Sequence, residues 1–302
     1  MSVYHTPVML DESVSALITN FQGTYADATF GGGGHTAEIL SRLLDGGRVI
    51  AFDRDIDAIR NAPDDPRLTM VHNNFRFIEN YAAYYGVRFD GVLADLGVSS
   101  HQFDTAERGF SFRYDAPLDM RMNTLATTTA EDVLNSFEEE ELAKVFALYG
   151  EVEQPRKAAS LIAQARAKSP IRTTGDLDAA LKPMVPANAA HKWMAKVYQA
   201  LRIEVNQEMR SLEKFLEACA GVIVPGGTLV VITYHSLEDR MVKNFIRTGH
   251  TDGTEQKDMF GRSEAPFEAV NRKPLLPKET EIASNTRARS AKLRIARRRG
   301  GE

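Results

Sequence analysis

The segment Asp27-Ala-Thr-Phe-Gly31-Gly-Gly-Gly34-His35-Thr36 sets the architecture expected for this chain. Residues typical of a strand precede it at 23–29, and apolar side chains at helical spacing follow it as far as Gly46. Glycines lack a Cβ, so their backbone N–H groups can approach a ligand closely, and the helix N-terminus behind them is electropositive. The pattern predicts a strand, a ligand-binding loop and a helix.

A second strand, 48–52, ends in Asp53, which lies 22 positions after Gly31. An acidic residue at this spacing in a Rossmann-like unit binds ribose hydroxyls. Thr36 stands where a dinucleotide-binding fingerprint has its third glycine, the one that allows close packing under a pyrophosphate. This difference favours S-adenosylmethionine over NAD as the cofactor. Both cofactors contain adenosine. A tight turn that binds no ligand is the alternative.

Strand-like and helical segments alternate as far as Asp95, which predicts an α/β fold with a parallel sheet. Residues 228–234 form a further predicted strand that leads directly into His235. In open α/β sheets, ligands bind outside the carboxyl ends of the strands. We therefore expect one crevice formed by the residues that follow the strands: Gly31 to Gly34, Asp53, Asn73 to Phe75, Asp95 and His235.

Between residues 104 and 196 no strand is predicted and helical patterns dominate. We predict three parts: residues 1–103 as the first part of a sheet domain, 104–196 as an inserted helical domain, and 197–302 as the second part of the sheet domain with a basic C-terminal tail. A long amphipathic helix is expected to cross the second boundary, from 194 to 216.

Local signals add detail to these parts. Ser136-Phe-Glu-Glu139 and Thr173-Thr-Gly-Asp176 have the form of capping boxes at helix starts. The run 225–227 is predicted to be a turn, 252–278 to be irregular, and 292–296 to be a closing strand with its basic side chains on one face.

The charge distribution is uneven. The formal net charge is −4, which excludes a generally basic nucleic-acid-binding protein. The segment 287–299 nevertheless has no acidic residue and seven basic ones, namely Arg287, Arg289, Lys292, Arg294, Arg297, Arg298 and Arg299. Such a strip favours a directed contact with a polyanion, and a solvated tail is the alternative.

Cys219 is the only cysteine, so no internal disulfide can form, which is typical of a reducing cytosol. No export signal or membrane span is indicated, and we expect a cytoplasmic protein with no membrane partner and no obligatory protein partner. The run Asp53-Arg-Asp55-Ile-Asp57 is followed by Ala58 where a calcium loop requires glycine. We predict no metal.

Methyl transfer from a sulfonium depends on orienting two reactants and needs few particular side chains. Methylation of a pyrimidine ring carbon would need a nucleophilic cysteine, and Cys219 lies within a helical pattern with no adjacent base. For the amine of cytosine, a group that accepts its proton would help. Asp95 with Ser99 is the first candidate and His235 the second. Alternatively, Asp95 positions the cofactor and His235 anchors the next helix.

Motifs along nearly the whole chain resemble the bacterial small-subunit (16S) ribosomal RNA cytosine-N4 methyltransferases. In order they are Tyr4-His5-Thr6-Pro7-Val8, Thr29-Phe-Gly-Gly-Gly-Gly-His35, Ala51-Phe-Asp-Arg-Asp55, Asp95-Leu-Gly-Val-Ser-Ser100, Glu107-Arg-Gly-Phe-Ser-Phe112, Pro117-Leu-Asp-Met-Arg-Met122, Gln199-Ala-Leu-Arg-Ile203, His235-Ser-Leu-Glu-Asp-Arg240 and Arg287-Ala-Arg-Ser-Ala-Lys-Leu-Arg294.

The resemblance implies a class I S-adenosylmethionine-dependent methyltransferase (Rossmann-like) domain with an inserted α-helical domain. It also implies methylation of N4 of a cytidine in the decoding region, with the rRNA or the small ribosomal subunit as substrate. Carried over by motif, the cofactor contacts are Gly33, Gly34, His35, Asp53, Phe75, Asp95 and Gln102.

One stretch departs from the family, which often has His-Pro-Ala-Thr-Arg where this chain has Lys192-Trp-Met-Ala-Lys196. Lys196 keeps a cation for RNA without the planar fork of arginine. Trp193 is a core residue or a stacking face for a base. Two other functions remain open: a nicotinamide-dependent oxidoreductase, and a ribosome-assembly factor that binds RNA without turnover.

Overall fold

The computed structural model describes residues 7–97, 105–256, 261 and 264–300. The chain divides into two compact units: unit 1 comprises residues 1–97 and 209–302, and unit 2 comprises residues 98–208. In the part of the chain that is described, no helix is both long and apolar enough to cross a lipid bilayer.

Unit 1 is built on a seven-stranded sheet. Its strands are β1 (Thr24–Asp27), β2 (Arg48–Asp53), β3 (Leu68–His72), β4 (Phe89–Asp95), β5 (Ile223–Thr233), β6 (Phe267–Ala269) and β7 (Lys292–Arg298). The α-helices of the described residues are α1 (Leu10–Leu17), α2 (Gly34–Arg42), α3 (Ile56–Ile59), α4 (Ile78–Tyr85), α5 (Ala130–Ser136), α6 (Glu139–Gly150), α7 (Pro155–Arg166), α8 (Thr174–Leu181), α9 (Ala190–Asn206), α10 (Glu208–Val222), α11 (Ser236–Thr248) and α12 (Glu279–Ser284).

The strand order is β3-β2-β1-β4-β5-β7-β6. Strands β1 to β5 are parallel, and β7 runs antiparallel between β5 and β6. Chain order reverses between β1 and β4, which creates the switch point where open α/β sheets bind ligands. This topology confirms the predicted class I methyltransferase fold of the sheet unit.

Each face of the sheet has its own apolar core. Residues of α4, α10 and α11 cover one face, and Phe215 and Phe245 are buried there. Residues of α1 and α2 cover the other face, where Leu17 and Ile39 are fully buried. Because both faces are covered, the strands can be almost continuously apolar, and their polar residues collect at the strand ends.

Two local predictions for unit 1 were wrong. Residues 225–227 lie inside β5, at an irregularity where pairing with β4 shifts register between Phe89 and Gly91. Residues 252–278 contain β6, whose three residues are too few to show an alternating pattern. The closing strand was predicted correctly, as β7.

Unit 2 is helical, with α5 to α9 around a single core. The capping box predicted at Thr173 is confirmed at the start of α8, where Asp176 completes it. The one predicted at Ser136 was wrong, because Ser136 ends α5 and the capping box of α6 is formed by Glu138 and Glu141.

The single long helix predicted from 194 to 216 is two helices. Gln207 has a φ of 49° and ends α9, since a left-handed residue cannot continue the helix. Just before it, the Asn206 side chain donates to the Met120 carbonyl at 2.7 Å and accepts from the Met122 N–H at 2.8 Å. The compact unit therefore extends to Glu208 rather than 196, because the apolar face of α9 belongs to its core.

A buried ion pair joins β7 to α11. The Arg294 Nε donates to Asp239 Oδ1 at 2.6 Å, and Lys292 Nζ lies 3.3 Å from Asp239 Oδ2. Burial alone would raise the pKa of Asp239, but hydrogen bonds and charge from Arg294 and Lys292 outweigh it and lower the pKa. The pair therefore stabilises the fold above the unfolded-state pKa, and this contribution is lost as the pH falls through the folded-state value.

Asp239→Asn should reduce the free energy of unfolding by about 3 kcal/mol at neutral pH, because Arg294 would be left as a buried, poorly paired charge. Urea unfolding measures this. Asp239→Leu combined with Arg294→Met removes both charges and should recover much of the loss. As a control, Glu255→Gln breaks the exposed pair with Arg247 and should cost less than about 1 kcal/mol. Equal losses of unfolding free energy in Asp239→Asn and Glu255→Gln would contradict the prediction.

Candidate functional site

The glycine loop approaches neighbouring side chains so closely that larger residues would not fit. Gly33 is the N-cap of α2 with a φ of 76°, and a Cβ there would lie 2.7 Å from Phe30 Cζ. A Cβ on Gly34 would overlap Pro7 Cγ. The packing of Phe30 and Pro7 against the loop therefore requires glycine at both positions where the chain enters α2.

Asp53 holds the loop against the end of β2. Its Oδ2 accepts from the Gly31 N–H at 2.8 Å, and its Oδ1 accepts from the Asp55 N–H at 2.8 Å. Each carboxylate oxygen can accept a second hydrogen bond, so the group can still bind ribose hydroxyls. The predicted link between the loop and Asp53 is thus a direct contact.

Asp27 braces the same loop from below, and sequence reasoning did not select it as a site residue. It is fully buried, its Oδ2 accepts from Thr36 Oγ1 at 2.7 Å, and its Oδ1 accepts from the Thr29 N–H at 3.1 Å. Thr36, which stands in place of the third glycine, is therefore a partner of a buried carboxylate. The sequence did contain a signal for Asp27, because Asp27 ends β1 in the same way that Asp53 ends β2 and Asp95 ends β4.

Asp95 joins this network through its backbone, since its N–H donates to Thr29 Oγ1 at 2.6 Å. Its carboxylate is partly exposed and accepts from the Gly97 N–H at 3.2 Å, and the nearby Tyr234 hydroxyl acts to lower its pKa. Burial raises the pKa of Asp95 despite the nearby His35 ring and these hydrogen bonds. Sequence reasoning missed Tyr234, although it directly precedes His235 at the end of β5.

The electrostatics of this edge suit a cation. Asp27, Asp53 and Asp95 end adjoining parallel strands, and carboxylates gathered at one edge disfavour additional negative charge. Burial raises the pKa of Asp27 and Asp53 as well. The Gly31 N–H is already bonded to Asp53 and is not directed at a phosphate. These residues fit the cationic sulfonium of S-adenosylmethionine better than the pyrophosphate of NAD.

His35 and Phe75 take different positions at this edge. The His35 ring is buried and its Nε2 lies 3.1 Å from the Val8 carbonyl oxygen, so a cofactor contact by His35 would use its backbone in the first turn of α2. Phe75 follows β3, is partly exposed, and packs edge-on against Phe215 at 5.1 Å. Ser99 and Gln102 lie outside the described residues.

His235 anchors a helix, which was the alternative to its role as a proton acceptor. It is the N-cap of α11, where its Nδ1 accepts from the Glu238 N–H at 3.4 Å and Glu238 completes a capping box. Its Nε2 lies 3.0 Å from Glu238 Oε1, at an angle unsuited to a hydrogen bond. Both ring nitrogens thus face Glu238, which disfavours His235 as the group that accepts a substrate proton.

The predicted RNA-binding cations divide into two groups. Arg294 and Lys292 bind Asp239, while Arg298 donates to the Ala220 and Pro266 carbonyls, so these three stabilise the fold. Arg287 is partly buried, whereas Arg289 and Arg297 are exposed.

In unit 2, Lys196 and Trp193 have structural contacts. Lys196 Nζ donates to the Glu151 carbonyl at 3.0 Å, beyond the end of α6. Trp193 is 5% exposed and belongs to the core of the unit, so it is a core residue rather than an open stacking face for a base.

Known proteins are similar to this chain over nearly its whole length. The family model described as the MraW methylase family matches residues 2–299. A protein of Bacteroides fragilis (strain YCH46) named Ribosomal RNA small subunit methyltransferase H is 54% identical over 299 residues, covering 99% of this chain and 98% of that protein. A protein of the same name from Christiangramia forsetii is 48% identical over 296 residues, covering 98% of each chain. The chain belongs to the MraW methylase family.

Proposed function

We propose that this protein transfers a methyl group from S-adenosylmethionine to the exocyclic N4 of a cytidine in small-subunit (16S) ribosomal RNA, in its decoding region. The observation that carries the proposal is the edge of unit 1, where a glycine loop is braced by Asp53 and Asp27 beside the partly exposed Asp95. Family membership and the names of the relatives support the reaction class and the type of RNA.

Within this proposal the chain mainly binds and orients. The bound cofactor supplies a methyl group activated by its positive sulfur. Asp53 would accept hydrogen bonds from the ribose hydroxyls, and the glycine loop at the N-terminus of α2 would approach the cofactor through its backbone. Asp95 is the group proposed to hold the N4 amine and to take up its proton as the new carbon–nitrogen bond forms and the carbon–sulfur bond breaks.

The cysteine route to a ring carbon is closed, which leaves nitrogen or oxygen as the acceptor, and the family resemblance favours nitrogen. Cys219, the only cysteine of the sequence, is buried within α10. Burial raises the pKa of its thiol well above the usual value, which disfavours the thiolate. The base would have to leave its RNA stack to reach the site, at a cost of a few kcal/mol.

The exposed arginines at the C-terminal segment are proposed to contact RNA phosphates. Arg289 and Arg297 point to this role because they are exposed, unlike Arg294 and Arg298, which serve the fold. Either the free rRNA or the small ribosomal subunit fits this contact, and such a substrate would place the reaction in the cytoplasm. A ribosome-assembly factor without turnover remains the second function.

Incubation with labelled S-adenosylmethionine and undermethylated small ribosomal subunits should label one cytidine at N4, as identified by nuclease digestion and mass spectrometry. The reason is that the buried thiol closes the cysteine route to a ring carbon, and that the family resemblance favours the exocyclic amine among the nitrogen and oxygen acceptors that are left. Label on a ring carbon or a ribose would reject the proposal. Tight binding of subunits with no label transferred would favour the assembly factor.

Asp53→Ala should weaken S-adenosylmethionine binding by about 1.5–3 kcal/mol, the free energy of hydrogen bonds to a charged group. Isothermal titration measures the change. Asp53→Asn keeps one oxygen that can accept a hydrogen bond from a backbone amide. It should therefore lose less binding free energy than Asp53→Ala. Asp45→Asn, an exposed carboxylate beyond α2, is the control and should bind like the parent protein. Unchanged affinity in Asp53→Ala would remove Asp53 from the site.

Arg289→Gln with Arg297→Gln should weaken RNA binding and reduce the slope of log K against log salt by roughly 1.5 units, because two phosphate contacts are lost. S-adenosylmethionine binding should not change. Arg247→Gln is the control, an exposed arginine whose charge is paired with Glu255. If the double variant keeps the parent slope, the C-terminal arginines do not contact RNA.

A further inference from the structure

Two side chains of unit 1 meet where β4 and β5 end. The strands pair in parallel with Asp95 opposite Ile232, and the Leu96 N–H donates to the Ile232 carbonyl at 3.0 Å. Tyr234 comes two residues after Ile232. The pairing therefore brings Tyr234 and Asp95 to the same edge of the sheet.

Gly97 lets these two side chains share one space. A Cβ on Gly97 would lie 2.8 Å from Tyr234 Cε2, 3.0 Å from Tyr234 Cζ and 3.3 Å from Asp95 Oδ1. The phenol ring thus packs directly on the Gly97 backbone, on the side where the Asp95 carboxylate lies. Only a residue without a side chain permits this arrangement.

Both ends of the contact are fixed by the backbone. The Tyr234 N–H donates to Glu238 Oε2 at 2.8 Å, within the capping box of α11. The Asp95 N–H donates to Thr29 Oγ1 at 2.6 Å, next to the glycine loop. The backbones that carry the hydroxyl and the carboxylate are therefore held in place relative to each other.

We propose that Tyr234 is a positioning residue, whose hydroxyl orients the Asp95 carboxylate for its part in the reaction. The inference rests on the proposed function for the meaning of Asp95, but the contact itself can be tested by cofactor binding alone. Positioning by a donor from a rigid element is how sites keep a working carboxylate in one rotamer.

The charges around the pair set the direction of its response to pH. Asp27 from β1 and His35 from α2 act on Asp95, while Glu238 from α11 and Glu281 from α12 act on Tyr234. Burial raises the pKa of Tyr234 well above its usual value, so the hydroxyl remains a donor at working pH. Its hydrogen bond counters the burial that raises the pKa of Asp95. Removing it should raise that pKa further.

Tyr234→Phe deletes only the hydroxyl and tests the proposal. We expect the acidic midpoint of S-adenosylmethionine binding, and that of single-turnover methylation of small subunits, to move upward by about one pH unit. Gly97→Ala pushes the ring away and should shift both midpoints in the same direction. The two substitutions combined should shift them no further than the larger single effect, because both act through one contact.

Two matched variants serve as controls. Tyr25→Phe removes a hydroxyl that bonds the backbone of Thr19 and Asn20 in the same unit, and Gly221→Ala adds a Cβ whose nearest neighbour is 3.9 Å away. Neither should move the midpoints, and thermal unfolding checks that all variants fold. The proposal is overturned if the midpoints stay fixed in Tyr234→Phe, or if Tyr25→Phe shifts them equally. Methylation at another atom would reject the proposed function, while the cofactor titrations would still test this pair.

Discussion

The Asp27 carboxylate, buried beneath the glycine loop, is the constraint on which the site depends. It bonds Thr36 in α2 and the backbone of Thr29, and Thr29 in turn accepts from the backbone of Asp95. One buried group thus ties together β1, the loop, α2 and the end of β4. A buried carboxylate is costly unless it is hydrogen-bonded, so its partners have little freedom to move.

The sign of charge at the strand ends decides which cofactor the loop can hold. In a dinucleotide site the loop amides face a pyrophosphate, whereas here the Gly31 amide faces Asp53. Asp27, Asp53 and Asp95 end three adjoining parallel strands, and burial raises the pKa of each. A cationic ligand relieves this arrangement and an anionic one worsens it. The same glycine loop can therefore serve different cofactors.

The C-terminal segment shows how one run of basic residues can have two roles. Side chains alternate along β7, so Arg294 faces Asp239 of α11 while Arg297 faces solvent. The cations that bind Asp239 or backbone carbonyls stabilise the fold, and the exposed ones are proposed to bind RNA. A count of basic residues cannot separate these roles, because it contains no information about which partner lies across the sheet.

Elements defined by short-range rules were readable in the amino-acid order alone. The glycine loop, the strand ending in Asp53, the capping box at Thr173 and the closing strand β7 each follow from turn chemistry or periodicity within a few residues. The order of motifs also led to the family. By contrast, the break at Gln207, the edge strand β6, the helix-capping place of His235 and the contact of Tyr234 with Asp95 required the folded chain. Each depends on a partner distant in sequence or on backbone geometry, and local patterns carry no record of which distant groups will meet.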